Sequence, residues 1–356
     1  MRNGRGAFAV TAVAAATALS ASLSGCGGAG VAAPAVSADT TIEMITAGQD
    51  SFYLTMECGA VVEARRLGIN LTVAGPAYDT TADQLSLVQG VIVGNPDALI
   101  ISPATDATSS LTAAGPGGGN SLTQALYVTQ ENATKVVFAG SSVAEADIGA
   151  SRITSDNGDG GRVAADSLGR TLGGKGTVAV LTAPDTGAPG SARITAFRSE
   201  LKARYPGITV LAAQSAPADT PAQAARFVTA DLKADKNLAA VLALSQNGSQ
   251  GAITALGAAR EKGKVKLAAF DASPSQMTGL VTGTIQLTVA QEPGVEGADA
   301  VDQAVNAVAG KKVVSHMSTP MVAITPKNMN DPGIKPYIYD GTCTSSLRGS
   351  FTASDD

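Results

Sequence analysis

Short apolar runs of four to six residues alternate with helix-period segments along most of this chain, and that alternation restricts its fold more than any other feature. Residues 41–46 read as a strand, and residues 52–67 as a helix with Met56, Ala60, Ala64 and Leu67 at helical spacing. A strand at 69–73, a helix at 82–93 and the wholly apolar strand Ala98–Ile101 follow. Later strands are expected at 177–181, 208–212, 239–244, 265–270 and 284–290, with helices at 190–204, 221–233, 250–262 and 274–281. Apolar strands separated by helices must be buried on both faces, which predicts parallel sheets joined by right-handed crossovers. The fold class is therefore α/β.

Two segments break the rhythm: the glycine-rich stretch 114–120 and the polar tract 151–161. The polar tract is expected to separate two series of βα units. Beyond the N-terminal forty residues the chain is roughly 315 residues long, more than one typical core holds, so two lobes are expected. The composition is globular, 44% hydrophobic and 15% charged, with a formal net charge of −5. That acidic balance argues against nucleic acid, whose phosphates call for clustered Lys and Arg.

The N-terminus carries a separate message. Arg2 and Arg5 precede a small-residue apolar stretch at 7–21, which ends shortly before Leu23-Ser24-Gly25-Cys26. Charge, apolar stretch and cleavage site in that order mark an export signal over residues 1–25. The stretch is too short for a comfortable bilayer span, which needs roughly 20 apolar residues. Its ending resembles the bacterial lipoprotein signal, in which the cysteine is lipidated and becomes the mature N-terminus. The resemblance implies an exported protein held by Cys26 at the outer face of the cell membrane. Residues 26–40, small and with Pro34, read as a flexible tether. An exported location permits Cys58 and Cys343 to pair, which sequence alone leaves open.

Several segments taken in order resemble the ribose-type (class I) periplasmic binding proteins, the solute receptors of sugar ABC transporters. Gln49-Asp50-Ser51-Phe52-Tyr53, with Gly59-Ala60 and Ala64-Arg65-Arg66-Leu67-Gly68, is similar to the opening loop and helix of that family. Pro96 to Pro103, Thr154-Ser155-Asp156-Asn157, Gly173 to Ala179 and Arg193 to Phe197 continue the likeness. Ala268-Ala269-Phe270-Asp271 and Val289-Ala290-Gln291-Glu292-Pro293 complete it over about 41–326. The resemblance implies two Rossmann-like lobes with parallel sheets, joined by a three-strand hinge and closing on ligand. The expected division is an N-terminal lobe of 41–152 plus 292–320, a C-terminal lobe of 153–291 plus 321–330, and a tail of 331–356.

Ligands of open parallel sheets lie beyond the carboxyl ends of the strands. The resemblance carries ligand roles to Asp50, Phe52, Tyr53, Arg193, Asp271 and Gln291, which fit a polyhydroxylated molecule. Aromatic faces cover the C–H side of a sugar ring, Arg193 donates, Asp271 accepts two hydroxyl protons, and Gln291 does both. The chain departs from the family at Gly140-Ser141, where many members carry Asp-Arg, and at Ser245-Gln246, where Asn-Asp is usual. A further aromatic common near Asp219-Thr220 is missing. Ser141 and Ser245 are the expected substitutes, with Ser142, Gln246 and Asn247 beside them, or else the ligand is larger or less hydroxylated than ribose.

Other motifs carry no chemistry. The Gly169–Gly176 stretch lacks the Ser or Thr of a phosphate loop and runs helix, turn, strand. Asp156 to Gly160 has Gly158 at a position where a calcium loop needs a ligand and no closing Glu, so a turn and helix cap are expected. His316 is the only histidine, expected in a solvated loop, so neither a His triad nor a His-based metal site is evident. We expect no metal, no cofactor and no catalysis. The expected function is an extracytoplasmic receptor that captures a sugar or sugar-like ligand for an ABC permease. It is expected to act as a monomer on its lipid anchor. The alternatives are a ligand sensor for a signalling system and an exported enzyme.

Overall fold

A computed structural model describes residues 39–76, 81–104, 122–183, 187–215 and 220–341. The expected signal segment, Cys26, the 114–120 stretch, Asp219 and Cys343 lie outside them. In the first half, β1 (Thr41–Ile45), α1 (Ser51–Leu67), β2 (Asn70–Ala74), α2 (Thr81–Gly94), β3 (Ala98–Ile101), α3 (Leu122–Glu131), β4 (Lys135–Ala139) and β5 (Ser151–Ser155) follow one another. The second half holds α4 (Asn157–Thr171), β6 (Gly176–Thr182), α5 (Gly187–Arg204), β7 (Ile208–Ser215), α6 (Pro221–Ala234), β8 (Leu238–Ala243) and α7 (Gln246–Ala258). Then come β9 (Lys266–Phe270), α8 (Pro274–Val281), β10 (Leu287–Ala290), α9 (Pro293–Val308), β11 (His316–Thr319), β12 (Val322–Ile324) and a 3₁₀ turn, η1 (Pro332–Tyr337).

These strands form two six-stranded sheets, in the orders β11-β5-β4-β3-β1-β2 and β12-β10-β9-β8-β6-β7. Every pairing is parallel except that of β10 with β12. The apolar strands explain the arrangement. All four residues of β3 are buried, as a strand covered by helices on both faces requires. Ile42, Met44, Met56, Ile100 and Val301 pack one face of the first sheet, and Ile45, Leu99, Leu126 and Phe138 the other. The second sheet is covered likewise by clusters around Val180 and Phe197 and around Val241 and Leu267.

The chain crosses between the lobes three times: from β5 into α4, from β10 into α9, and from β11 into β12. Helix α9 returns to pack on α1 at backbone distance. A Cβ on Gly59 would lie 1.9 Å from the Gly294 carbonyl oxygen, and one on Gly297 would lie 2.0 Å from that of Met56. Only glycine permits that approach.

Three expectations are corrected. The polar tract 151–161 does separate two series of βα units, but it does not break the strand–helix rhythm, because its first five residues form β5 and residues 157–161 open α4. Its polar side chains are buried with partners: Ser151 Oγ donates to the Val314 carbonyl at 2.6 Å, and the Arg152 guanidinium donates to the Glu145 and Ile148 carbonyls. The strand expected at 284–290 begins only at Leu287, since the amides of Thr284 and Ile285 close the end of α8 on the Gly279 carbonyl. His316 is not in a loop. It opens β11 opposite Arg152, with its side chain exposed. Cys58, buried on α1, is disulfide-bonded.

Candidate functional site

A cavity of about 230 Å³ lies between the lobes, at the carboxyl ends of the strands. Its lining includes Asp50, Phe52, Tyr53, Ser141, Arg193, Asp271 and Gln291, so seven of the eight residues expected from sequence meet in one place. Ser245 is the exception and is corrected here. It is the N-cap of α7, where its hydroxyl accepts from the Gly248 amide at 3.0 Å, and it does not line the cavity. A serine directly before a helix is more readily satisfied by the helix's own amides than by a ligand.

The side chains are placed by local structure. Asp50 caps α1, its Oδ1 accepting from the Phe52 and Tyr53 amides at 2.9 and 3.3 Å. That cap fixes the first helical turn and with it both aromatic rings, which meet edge to face at 5.2 Å. Arg193, on α5 and 8% exposed, donates from Nε to Asn157 Oδ1 at 2.7 Å, and its guanidinium lies 4.7 Å from the Phe270 ring centroid. One edge of the guanidinium is thereby held and the charge is covered by a ring face.

Asp271 follows β9 with φ +74°, a left-handed backbone that aspartate tolerates better than most residues. The strain is held by its neighbours. Its amide donates to the Val289 carbonyl at 2.8 Å, and its carbonyl accepts from Thr288 Oγ1. Its Oδ1 accepts from Gln291 Nε2 at 3.0 Å and from the Tyr339 hydroxyl at 3.4 Å. Conformational strain of this kind persists where surrounding structure enforces it, and it gathers at ligand sites.

Sequence reasoning missed Ser102, Pro103 and Pro189 as lining residues and treated Gly140 only as a departure. Gly140 has φ +75°, and a Cβ there would fall 2.8 Å from Met56 Cε and 3.3 Å from Ser102 Oγ. Ser102 Oγ is buried without a hydrogen-bond partner among the described residues. Buried Gln84 locks the backbone beside it, donating to the Thr46 and Ser102 carbonyls at 3.1 and 2.7 Å and accepting from the Ala104 amide at 2.8 Å. The position of Ser102 at the end of β3 was the available signal, since ligand residues gather at such ends.

The hinge holds a buried acid. Glu296, in the first turn of α9, is fully buried. Its Oε1 accepts from Ser155 Oγ at 2.5 Å and from Thr319 Oγ1 at 2.7 Å, while Oε2 has no partner among the described residues. One carboxyl thus links the ends of β5 and β11 from the helix that follows β10. Burial raises its pKa, partly opposed by those two hydroxyls and the charge of Arg193, while Glu292 adds to the rise.

Comparison with known proteins agrees with this geometry. Residues 42–312 match the family described as periplasmic binding protein domain. The ribose import binding protein RbsB of Salmonella typhimurium is 27% identical over 283 residues, covering 80% of this chain and 89% of that protein. RbsB of Bacillus subtilis is 27% identical, covering 78% and 84%. An ABC transporter solute binding protein from Agrobacterium vitis, solved with α-D-tagatopyranose, superposes with a TM-score of 0.74 at 28% identity, covering 85% of this chain and 99% of that one. Another from Agrobacterium radiobacter, in complex with D-arabinose, gives 0.71 at 25% identity, covering 85% and 100%. With two α/β lobes, three crossings and a cavity between them, the chain belongs to the periplasmic binding protein family in its ribose-type, class I form.

Proposed function

We propose that this chain is the solute receptor of an ABC importer and captures a neutral sugar or polyol by closing its lobes. The observation that carries the reading is the interlobe cavity, where two aromatic rings stand among Asp50, Asp271, Arg193 and Gln291. Aromatic faces suit the apolar side of a pyranose or furanose ring. The carboxylates and amide suit its hydroxyls, and charge-assisted hydrogen bonds supply orientation. At about 230 Å³ the cavity is smaller than the roughly 300–1,000 Å³ of drug-sized sites, which suits a solute of monosaccharide size. Relatives named for ribose import, and a structural neighbour that binds tagatopyranose, support the same class. Gly140 and Ser141 leave no charged pair on one wall, so ribose is not expected to be the best ligand.

Binding without turnover belongs to the proposal, as does action as a monomer. So do export and acylation at Cys26, which rest on Leu23-Ser24-Gly25-Cys26. No helix among the described residues is long and apolar enough to cross a membrane. A thermal-shift and calorimetry screen of the purified protein against D-ribose, D-arabinose, D-tagatose, D-allose, D-fucose and myo-inositol tests the reading. A ligand that binds only the native state raises its melting temperature. Micromolar or tighter binding of one of these without chemical conversion is the expected result. No shift with any of them refutes the sugar assignment, and ribose as the tightest ligand refutes the inference from Gly140.

A further inference from the structure

The matched family region ends at residue 312, and the second sheet ends at Ile324, yet the described chain continues to Gly341. The first part of that segment, through Lys335, is largely exposed, and its last residues turn inward. Tyr339 is 1% exposed and ranks with the largest fully buried side chains of the protein. Its amide donates to the Ala272 carbonyl at 3.1 Å, and its hydroxyl accepts from the Gln291 amide at 2.9 Å while facing Asp271 Oδ1 at 3.4 Å. These partners belong to the C-terminal lobe and to the crossing that follows β10.

The same ring stands edge-on to Phe52 of α1, 5.6 Å between centroids, and α1 belongs to the other lobe. Two residues later the Gly341 amide donates to Thr55 Oγ1, also on α1, at 3.2 Å. Two residues earlier the Tyr337 hydroxyl bonds the Glu292 carboxylate at the β10–α9 crossing. Residues 337–341 therefore run from the crossing, past one lobe's ligand residues, to the other lobe's ligand helix. The three interlobe crossings are joined here by a fourth connection.

We infer that the segment Asp331–Gly341 is a strap that restrains opening of the cleft, with Tyr339 as a positioning residue for Asp271 and Phe52. Tyr339 does not line the cavity, but it touches Phe52, Asp271 and Gln291, which do. Rotation of the lobes about the three crossings must break the Gly341–Thr55 bond and the Tyr339–Phe52 contact, or drag the strap with them. Either route narrows the range of open states. A restrained receptor spends more time near its binding-competent form, and apparent affinity rises with that fraction. The inference about affinity rests on the proposed sugar-binding function, whereas the restraint itself does not.

The test uses the full-length protein in a Cys58→Ser background, so that the disulfide on α1 does not enter the comparison, with two substitutions that leave the core filled. Tyr339→Phe removes the hydroxyl and keeps the ring, and Thr55→Val removes the acceptor of Gly341 and keeps the volume. Spin labels attached to encoded ketone side chains at the exposed positions Val93 and Val281, one in each lobe, report the interlobe distance without ligand. Both variants are expected to broaden that distance distribution towards longer separations. Tyr339→Phe is also expected to bind the best sugar of the panel about tenfold more weakly, with a melting curve close to that of the parent. A distance distribution unchanged in both variants overturns the strap, whatever the affinity. If the parent binds no sugar of the panel, the functional proposal fails, and the ligand-free distance measurement still decides the strap.

Discussion

Replacing Glu296 by Gln isolates the buried acid of the hinge, because the amide keeps the shape and the acceptor for Ser155 and Thr319 but cannot ionise. Burial raises the folded-state pKa of Glu296 above its unfolded value, so the folded protein holds this proton more tightly than the unfolded chain. Stability from this group is then fully present below the unfolded carboxyl pKa. It falls as pH rises towards the folded value, because the native state must ionise the acid in a dry site or keep it protonated against solution. Within that window the loss approaches about 1.4 kcal/mol per pH unit. Glu57, Asp231, Glu292, Asp299 and Asp302 are also raised, so only the difference between parent and variant reports Glu296. Urea unfolding from pH 4 to pH 8, with the m-value checked for constancy, is the assay. The two proteins are expected to agree within about 1 kcal/mol at pH 4, since an unpartnered amide replaces an unpartnered hydroxyl at a similar cost. At pH 8 the variant is expected to be more stable by more than about 1 kcal/mol. A difference that does not change with pH would refute the raised pKa of Glu296 and the burial argument with it.

Asp271→Asn keeps a residue that tolerates φ +74° and removes the charge, so it is a cleaner probe than alanine. It and Arg193→Ala are each expected to weaken sugar binding by about 2 kcal/mol, near 30-fold in calorimetry, with melting curves controlling for folding. Equal affinity in both variants would remove the cleft assignment. For the disulfide at Cys58 we propose Cys343 as partner, since Gly341 is already hydrogen-bonded to Thr55 one helical turn away. Non-reducing peptide mapping is expected to join the two peptides, and a Cys58–Cys26 link or two free thiols would exclude it. Cys26→Ser is expected to abolish incorporation of a fatty-acid probe, and unchanged labelling would exclude the anchor.

The alternation of apolar runs and helical periods was enough to give two α/β lobes, because a strand such as Ala98–Ile101, apolar on both faces, has no stable place outside a covered parallel sheet. Most of the cavity wall was legible too. Asp50, Asp271 and Gln291 follow apolar strands, and strand ends are where such sheets place their ligands. Strand β5 was not legible, since Ser151, Arg152 and Ser155 look polar in sequence and are buried only by partners far along the chain. Ser245 was misread for the reverse reason, as a local helix cap consumed a hydroxyl that sequence left open. Glu296 and Tyr339 show the limit most clearly. Neither position carries a periodic signal for its role. Each acquires that role from residues more than twenty positions away, which only the folding of both lobes around one hinge brings into contact.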